Sequence, residues 1–118
     1  MKLNKMSIRD INNTEHYNWG GVCDGWHLLK TNSLSIIQEK MPPNTEETFH
    51  YHTKAQQFFY ILKGTATFET EKGVFTVHER QGFHIEPELK HHILNKSPED
   101  LEFLVISEPK SHGDRVNL

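Results

Sequence analysis

From Ser33 to Ile106 the chain is a succession of short β-prone runs, each ended by a turn signal, and this punctuation leaves few folds open. The runs are Ser33–Met41, Phe49–His52, Phe58–Leu62, Thr65–Thr70, Val74–His78, Phe83–Ile85, His91–Asn95 and Leu101–Ile106. Between them stand Pro42-Pro43-Asn44, Lys63-Gly64, Glu71-Lys72-Gly73, Gln81-Gly82, Pro87 and Ser97-Pro98-Glu99-Asp100, all residue types that bend the backbone or withhold a donor from a ladder. No helical period of useful length interrupts the pattern, apart from a turn near Ser7–Asn12, and there is no repeat or low-complexity linker. The expectation is one continuous all-β domain, a sandwich or a barrel.

Side chains alternate faces along a strand, so Gln57, Phe59 and Ile61 share one face while Phe58, Tyr60 and Leu62 share the other. Both faces are rich in apolar groups, and Phe103/Val105 against Leu104/Ile106 repeat the doubling. A solvated antiparallel sheet would be polar outside. Something is therefore expected to cover the second face, either the segment bearing Tyr17, Trp19 and Trp26 or a second copy of the chain, and the expectation is a homodimer.

With 118 residues the chain has the length of one ordinary domain, read as an N-terminal arm over about 1–32, a barrel over about 33–107 and a polar tail over 108–118. Seven Phe, three Tyr and two Trp supply enough large apolar surface to offset chain entropy. The formal charge is −3 and no stretch gathers Lys and Arg on one side, so nucleic acid is not an expected partner. No run of about 18 apolar residues suggests a membrane span, and Met1-Lys2-Leu3-Asn4-Lys5 lacks the apolar core of a secretory signal; a cytoplasmic protein is expected. Cys23 is the single cysteine, which excludes an internal disulfide and reads as a small filler residue.

Nine histidines are the unusual item in the composition. In His50-Tyr51-His52 two imidazoles stand two residues apart, which on a strand projects both to the same side, roughly 7 Å apart at the backbone. They form a potential ligand pair for one ion. After the turn Thr53–Gln56, Gln57 can offer its carbonyl oxygen from the start of the next strand, and His91 opens a later strand that could close the site from the opposite side.

These residues resemble the cupin superfamily. Its first motif runs from a Gly- or Pro-rich entry through His-x-His, three or four residues, Glu, six residues and Gly. Here Pro42-Pro43 leads to His50-Tyr51-His52, four residues to Gln57, and six more to Gly64. The second motif is looser: Gly82 is followed by Ile85-Glu86-Pro87-Glu88-Leu89-Lys90-His91 and then Asn95, with Pro87 kept and Glu86 and Glu88 standing where the family has Pro and Gly. The resemblance covers roughly Ser33 to Ile106 and implies a double-stranded β-helix, or jelly-roll, barrel. It also implies one divalent metal ion (zinc, nickel, manganese or iron) held by His50, His52, Gln57 and His91.

Gln57 departs from the family's glutamate, which removes a negative charge from the ligand set and leaves more of the +2 charge for Lewis-acid chemistry. In a second reading Gln57 only forms hydrogen bonds. His92, being adjacent to His91, should face the other way, and His78, His16 and His27 read as structural or solvated. His84 faces outward if Phe83 and Ile85 fill the core. Glu46-Glu47 reads as a charged loop. The segment Pro109–Arg115 is either solvated or folded over the barrel mouth, where Asp114 or Arg115 would approach a substrate and Arg115 would suit a carboxylate.

Three functions follow. The first is a metal-dependent isomerase or tautomerase acting on a small oxygenated molecule such as a sugar or sugar acid, similar to small single-domain cupins of that kind. The second is an iron- or nickel-dependent dioxygenase with an aromatic-walled pocket made by Phe59, Phe68 and Phe103. The third is a non-catalytic small-ligand-binding domain, kept open because no general base stands apart from the ligands in the sequence.

Overall fold

A computed structural model of the chain describes residues 5–118. Its strands are β1 (Glu15–Trp19), β2 (Cys23–Lys30), β3 (Ser35–Met41), β4 (Thr45–Glu46), β5 (His50–Tyr51), β6 (Gln56–Lys63), β7 (Ala66–Thr70), β8 (Gly73–Val77), β9 (Gly82–Ile85), β10 (His91–Asn95), β11 (Leu101–Glu108) and β12 (Val116–Asn117). They form two antiparallel sheets. One runs β1-β2-β3-β11-β6-β9 and the other β12-β5-β10-β7-β8, with β4 also paired to β10. Among the described residues there is no helix, and so none able to cross a membrane. The chain is an all-β jelly roll.

The alternation read from the sequence sets which side faces in. Gln57, Phe59 and Ile61 of β6 and Phe103, Val105 and Ser107 of β11 are buried, and they pack with Phe68 of β7 and Ile93 of β10 from the opposite sheet. The outward partners Phe58 and Leu62 remain 41% exposed. The N-terminal segment leaves that outer face largely uncovered. It forms the hairpin β1–β2, which extends the first sheet at its edge, and Tyr17 and Trp19 pack against the core from inside. His, Asn and Gly dilute the β signal in Glu15–Trp19 and Cys23–Lys30, so the sequence does not announce this hairpin.

Turn chemistry fixes the sheet edges. Gly64 ends β6 with φ +85°, and a Cβ there would meet the Asp100 carbonyl oxygen at 2.6 Å, so this turn admits no other residue without movement. Asn95 ties three segments together at the far end of the interior: its Nδ2 donates to the carbonyls of Met41 (2.8 Å) and Glu99 (2.7 Å), while its Oδ1 accepts from the Ser97 amide (3.0 Å). Cys23 is fully buried, and burial pushes its thiol up, as fits a filler residue and not a reactive one.

Candidate metal centre

His50, His52 and His91 come together although 41 residues separate the first from the last, because β5 and β10 are adjacent and pair His50 directly with His91. One ring nitrogen from each lies within 4.8 Å of the others, and all three side chains are buried. Each ring is oriented from behind by a backbone carbonyl that accepts from Nδ1: Thr48 for His50 (2.7 Å), Asp114 for His52 (2.7 Å) and Leu89 for His91 (2.8 Å). A carbonyl can only accept, so Nδ1 carries the proton and Nε2 presents its lone pair.

The fourth member sits across the interior on β6. Gln57 donates Nε2 to the Ser107 hydroxyl (3.1 Å), which leaves its Oε1 free. That oxygen, together with Nε2 of His52 and Nε2 of His91, is buried with no hydrogen-bond partner among the described residues. Three buried acceptors left without partners are costly unless a cation meets them. The donor set of three neutral imidazoles and a carboxamide oxygen fits a divalent ion of the zinc, nickel or iron type. Burial holds the imidazoles uncharged: His50 is lowered to about 3 and His91 to about 4, with neighbouring His and Arg115 adding to the effect, and His52 is lowered as well.

The cavity above them measures about 220 Å³. Its walls hold two carboxyls that the sequence reading did not single out as site residues. Glu39 of β3 accepts from the Tyr17 hydroxyl through Oε2 (3.1 Å), and burial, with the nearby Glu47 second, pushes its carboxyl up to about 8. Glu47, which the sequence suggested as part of a charged loop, instead follows β4 and lines the cavity, where burial raises it to about 7 despite Arg115 beside it. The Tyr17–Glu39 pair is built by a glycine. Tyr17, Gly25 and Glu39 stand in register across β1, β2 and β3, and a Cβ on Gly25 would fall 2.3 Å from the Tyr17 ring and 2.6 Å from its hydroxyl oxygen. The ring crosses its neighbour only because Gly25 has no side chain.

The last segment is folded over the mouth, the second of the two arrangements open at the sequence level. Ser111, His112, Gly113 and Arg115 line the cavity, and β12 pairs with β5. Arg115 does not stand free for a substrate carboxylate: it donates to Glu47 Oε2 (3.4 Å), the Thr48 carbonyl (3.3 Å) and Asn117 Oδ1 (2.7 Å).

His112 lines the cavity, whereas His92, His16 and His84 do not. His92 bonds the Glu47 carbonyl (2.8 Å) and the Glu69 carboxylate (2.7 Å), His16 bonds Asp24 (2.7 Å), and His84 faces outward to Gln56 (2.9 Å). Of the three phenylalanines expected as pocket walls, only Phe59 lines the cavity; Phe68 and Phe103 are fully buried beneath it. Glu88, standing where the resemblance calls for glycine, adopts φ +73°, and its amide donates to the His52 carbonyl (2.6 Å). The turn is kept at the expense of backbone strain.

No curated protein matches this sequence. Among solved structures, a sugar phosphate isomerase of the cupin superfamily from Silicibacter pomeroyi superposes with a TM-score of 0.76 at 14% identity, covering 88% of this chain and 76% of that one. KdgF from Halomonas sp. gives 0.80 at 15% identity over 91% of this chain and 98% of its own. Pac13, a nucleoside dehydratase of Streptomyces, gives 0.80 at 11% identity over 97% and 92%. These likenesses establish the shared barrel. The family model for the cupin domain matches residues 37–107, the stretch that carries the three histidines, Gln57 and the strands that position them, and the chain belongs to the cupin family.

Proposed function

We propose that this protein is a metal-dependent isomerase or tautomerase that moves a proton on a small, uncharged, hydroxylated molecule such as a sugar. His50, His52, Gln57 and His91 would hold one divalent ion. When bound, such an ion supplies Lewis-acid polarisation of a substrate carbonyl or hydroxyl.

The observation that carries the reading is Glu39 with Tyr17 in the same cavity as His50, His52 and Gln57. A carboxyl pushed up to about 8 can both hold and release a proton near neutrality, which is the property a general acid or base needs. Tyr17 fixes one of its oxygens, leaving the other for the substrate. Phe59, Ile37 and Val105 keep part of the wall dry, which strengthens hydrogen bonds made inside. Glu39 and Glu47 face the space while the Arg115 guanidinium is already occupied, so an uncharged polyol suits the cavity better than a sugar acid. A sugar phosphate isomerase and a nucleoside dehydratase among the proteins of similar fold lend support to this reading.

The test is to load the purified protein with zinc, nickel, manganese or iron, incubate it with uncharged aldoses and ketoses in deuterated water, and follow deuterium entry at carbon by NMR. Exchange that is lost in Glu39→Gln at unchanged metal content supports the reading. Oxygen consumption by the iron form with no exchange in any form would replace it with a dioxygenase.

The domain is also proposed to pair with a second copy through the outer face carrying Phe58, Tyr60, Leu62, Leu104 and Ile106, since Phe58 and Leu62 are large apolar groups left 41% exposed. Sedimentation should show a dimer that Phe58→Glu dissociates.

A further inference from the structure

His50 and His91 take the acceptor for Nδ1 from their own neighbourhood, two residues back in the chain, at Thr48 and Leu89. His52 takes its acceptor from Asp114, 62 residues further on. The third imidazole is thus oriented by a segment that reaches the site only through tertiary contact.

Asp114 is also what fastens that segment. Its Oδ1 accepts from the Thr53 amide (3.2 Å) and the Thr53 hydroxyl, and its Oδ2 accepts from the amides of Lys54 (2.9 Å) and Ala55 (2.8 Å). These are the three residues directly after His52. Burial alone would raise this carboxyl, but the bonds from Thr53, Ala55 and Lys54 together outweigh it and hold the carboxyl down at about 2. One residue therefore clamps the turn that follows a ligand with its side chain and sets that ligand's tautomer with its main chain. Arg115, next in sequence, donates to the Thr48 carbonyl, the same atom that orients His50.

We infer that Asp114 is a positioning residue of the metal centre, through which docking of segment 111–118 and binding of the ion stabilise one another. The inference rests on the metal reading above. If Asp114 lets go, His52 loses its acceptor and can rotate or change tautomer, and its lone pair leaves the convergent set. Coupling of this kind is reciprocal: an ion that favours the aligned imidazole favours the docked segment by the same factor. Because Ser111, His112, Gly113 and Arg115 form cavity wall, metal loading would also complete the substrate pocket.

The test uses zinc as the probe. Calorimetric titration of the metal-free protein should give a dissociation constant roughly 10- to 100-fold weaker in Asp114→Ala than in the unaltered protein, with Asp114→Asn between them, measured well below the melting temperature of each. Hydrogen exchange on the unaltered chain supplies a readout that needs no folded variant: zinc should slow the Thr53, Lys54 and Ala55 amides. Equal zinc affinity in Asp114→Ala whose residue 53–55 amides exchange freely, or amides indifferent to zinc in the unaltered protein, would overturn the inference and leave the metal site standing. No zinc uptake by the unaltered protein would overturn both.

Discussion

Gln57 and Ser107 face each other in register across the β6–β11 pair, and the 3.1 Å bond from the carboxamide nitrogen to the hydroxyl leaves Oε1 as the free acceptor in the cavity shared with His50 and His52. Without Ser107 the amide can turn over and present a donor where an acceptor is needed. Ser107→Ala should weaken divalent-metal binding roughly tenfold, at the low end of the range for partners standing behind a ligand. Gln57→Glu, which restores a negative charge to the set, should strengthen it. Calorimetric titration with zinc checks both.

The metal-free protein should lose stability on acidification. His50 and His91 have folded values of about 3 and about 4 against 6.5 in the unfolded chain, so their contribution is fully present above about 6.5. As the pH falls below that point the unfolded state takes up protons that the folded state refuses, each group costing up to about 1.4 kcal/mol per pH unit. Glu39 acts in the opposite sense. Its folded value near 8 lies above the ordinary 4.5, so its contribution is present below about 4.5 and lost as the pH climbs to about 8. Glu39→Gln should therefore gain melting temperature over the unaltered chain as pH rises through that window. A constant difference across the window would show that Glu39 is not perturbed.

Gly25→Ala places a methyl group where the Tyr17 ring lies. The substitution should displace the ring and break the bond to Glu39, destabilising the fold by about 1–3 kcal/mol through overpacking. Zinc affinity should be spared, since no proposed ligand touches Gly25. Denaturant unfolding and metal titration on the same variant separate the two effects.

Glu88→Gly should stabilise the protein. A non-glycine residue at φ +73° costs about 1–2 kcal/mol, and glycine removes most of that while losing part of the gain to extra freedom in the unfolded chain. A rise in melting temperature is expected, with the Glu88 amide bond to His52 kept because it belongs to the backbone.

Apart from the two-residue strands β4 and β12, the strands from Ser35 onward were legible because alternation and turn residues act over a few neighbours, and His91–Asn95 was legible to the residue. The His50-x-His52 pair was legible from its spacing on one strand, and His91 from its place in the second cupin motif. The β1–β2 hairpin was not, since its pairing is supported by contacts with β3 and by Gly25 accommodating Tyr17, neither of which leaves a periodic trace.

What the sequence by itself determined is the class of fold, written in alternation and turn residues, and the three histidines that the cupin resemblance pointed to and that the fold brings together. What only the tertiary structure decided is the environment of each group. Glu39 and Glu47 are ordinary acids in the sequence, and they became perturbed cavity residues through burial, to which the charge of Glu47 adds at Glu39. Asp114 reached His52 across 62 residues because β12 folds back onto β5. Desolvation and long-range hydrogen bonds depend on where distant segments meet, and no short-range pattern encodes that.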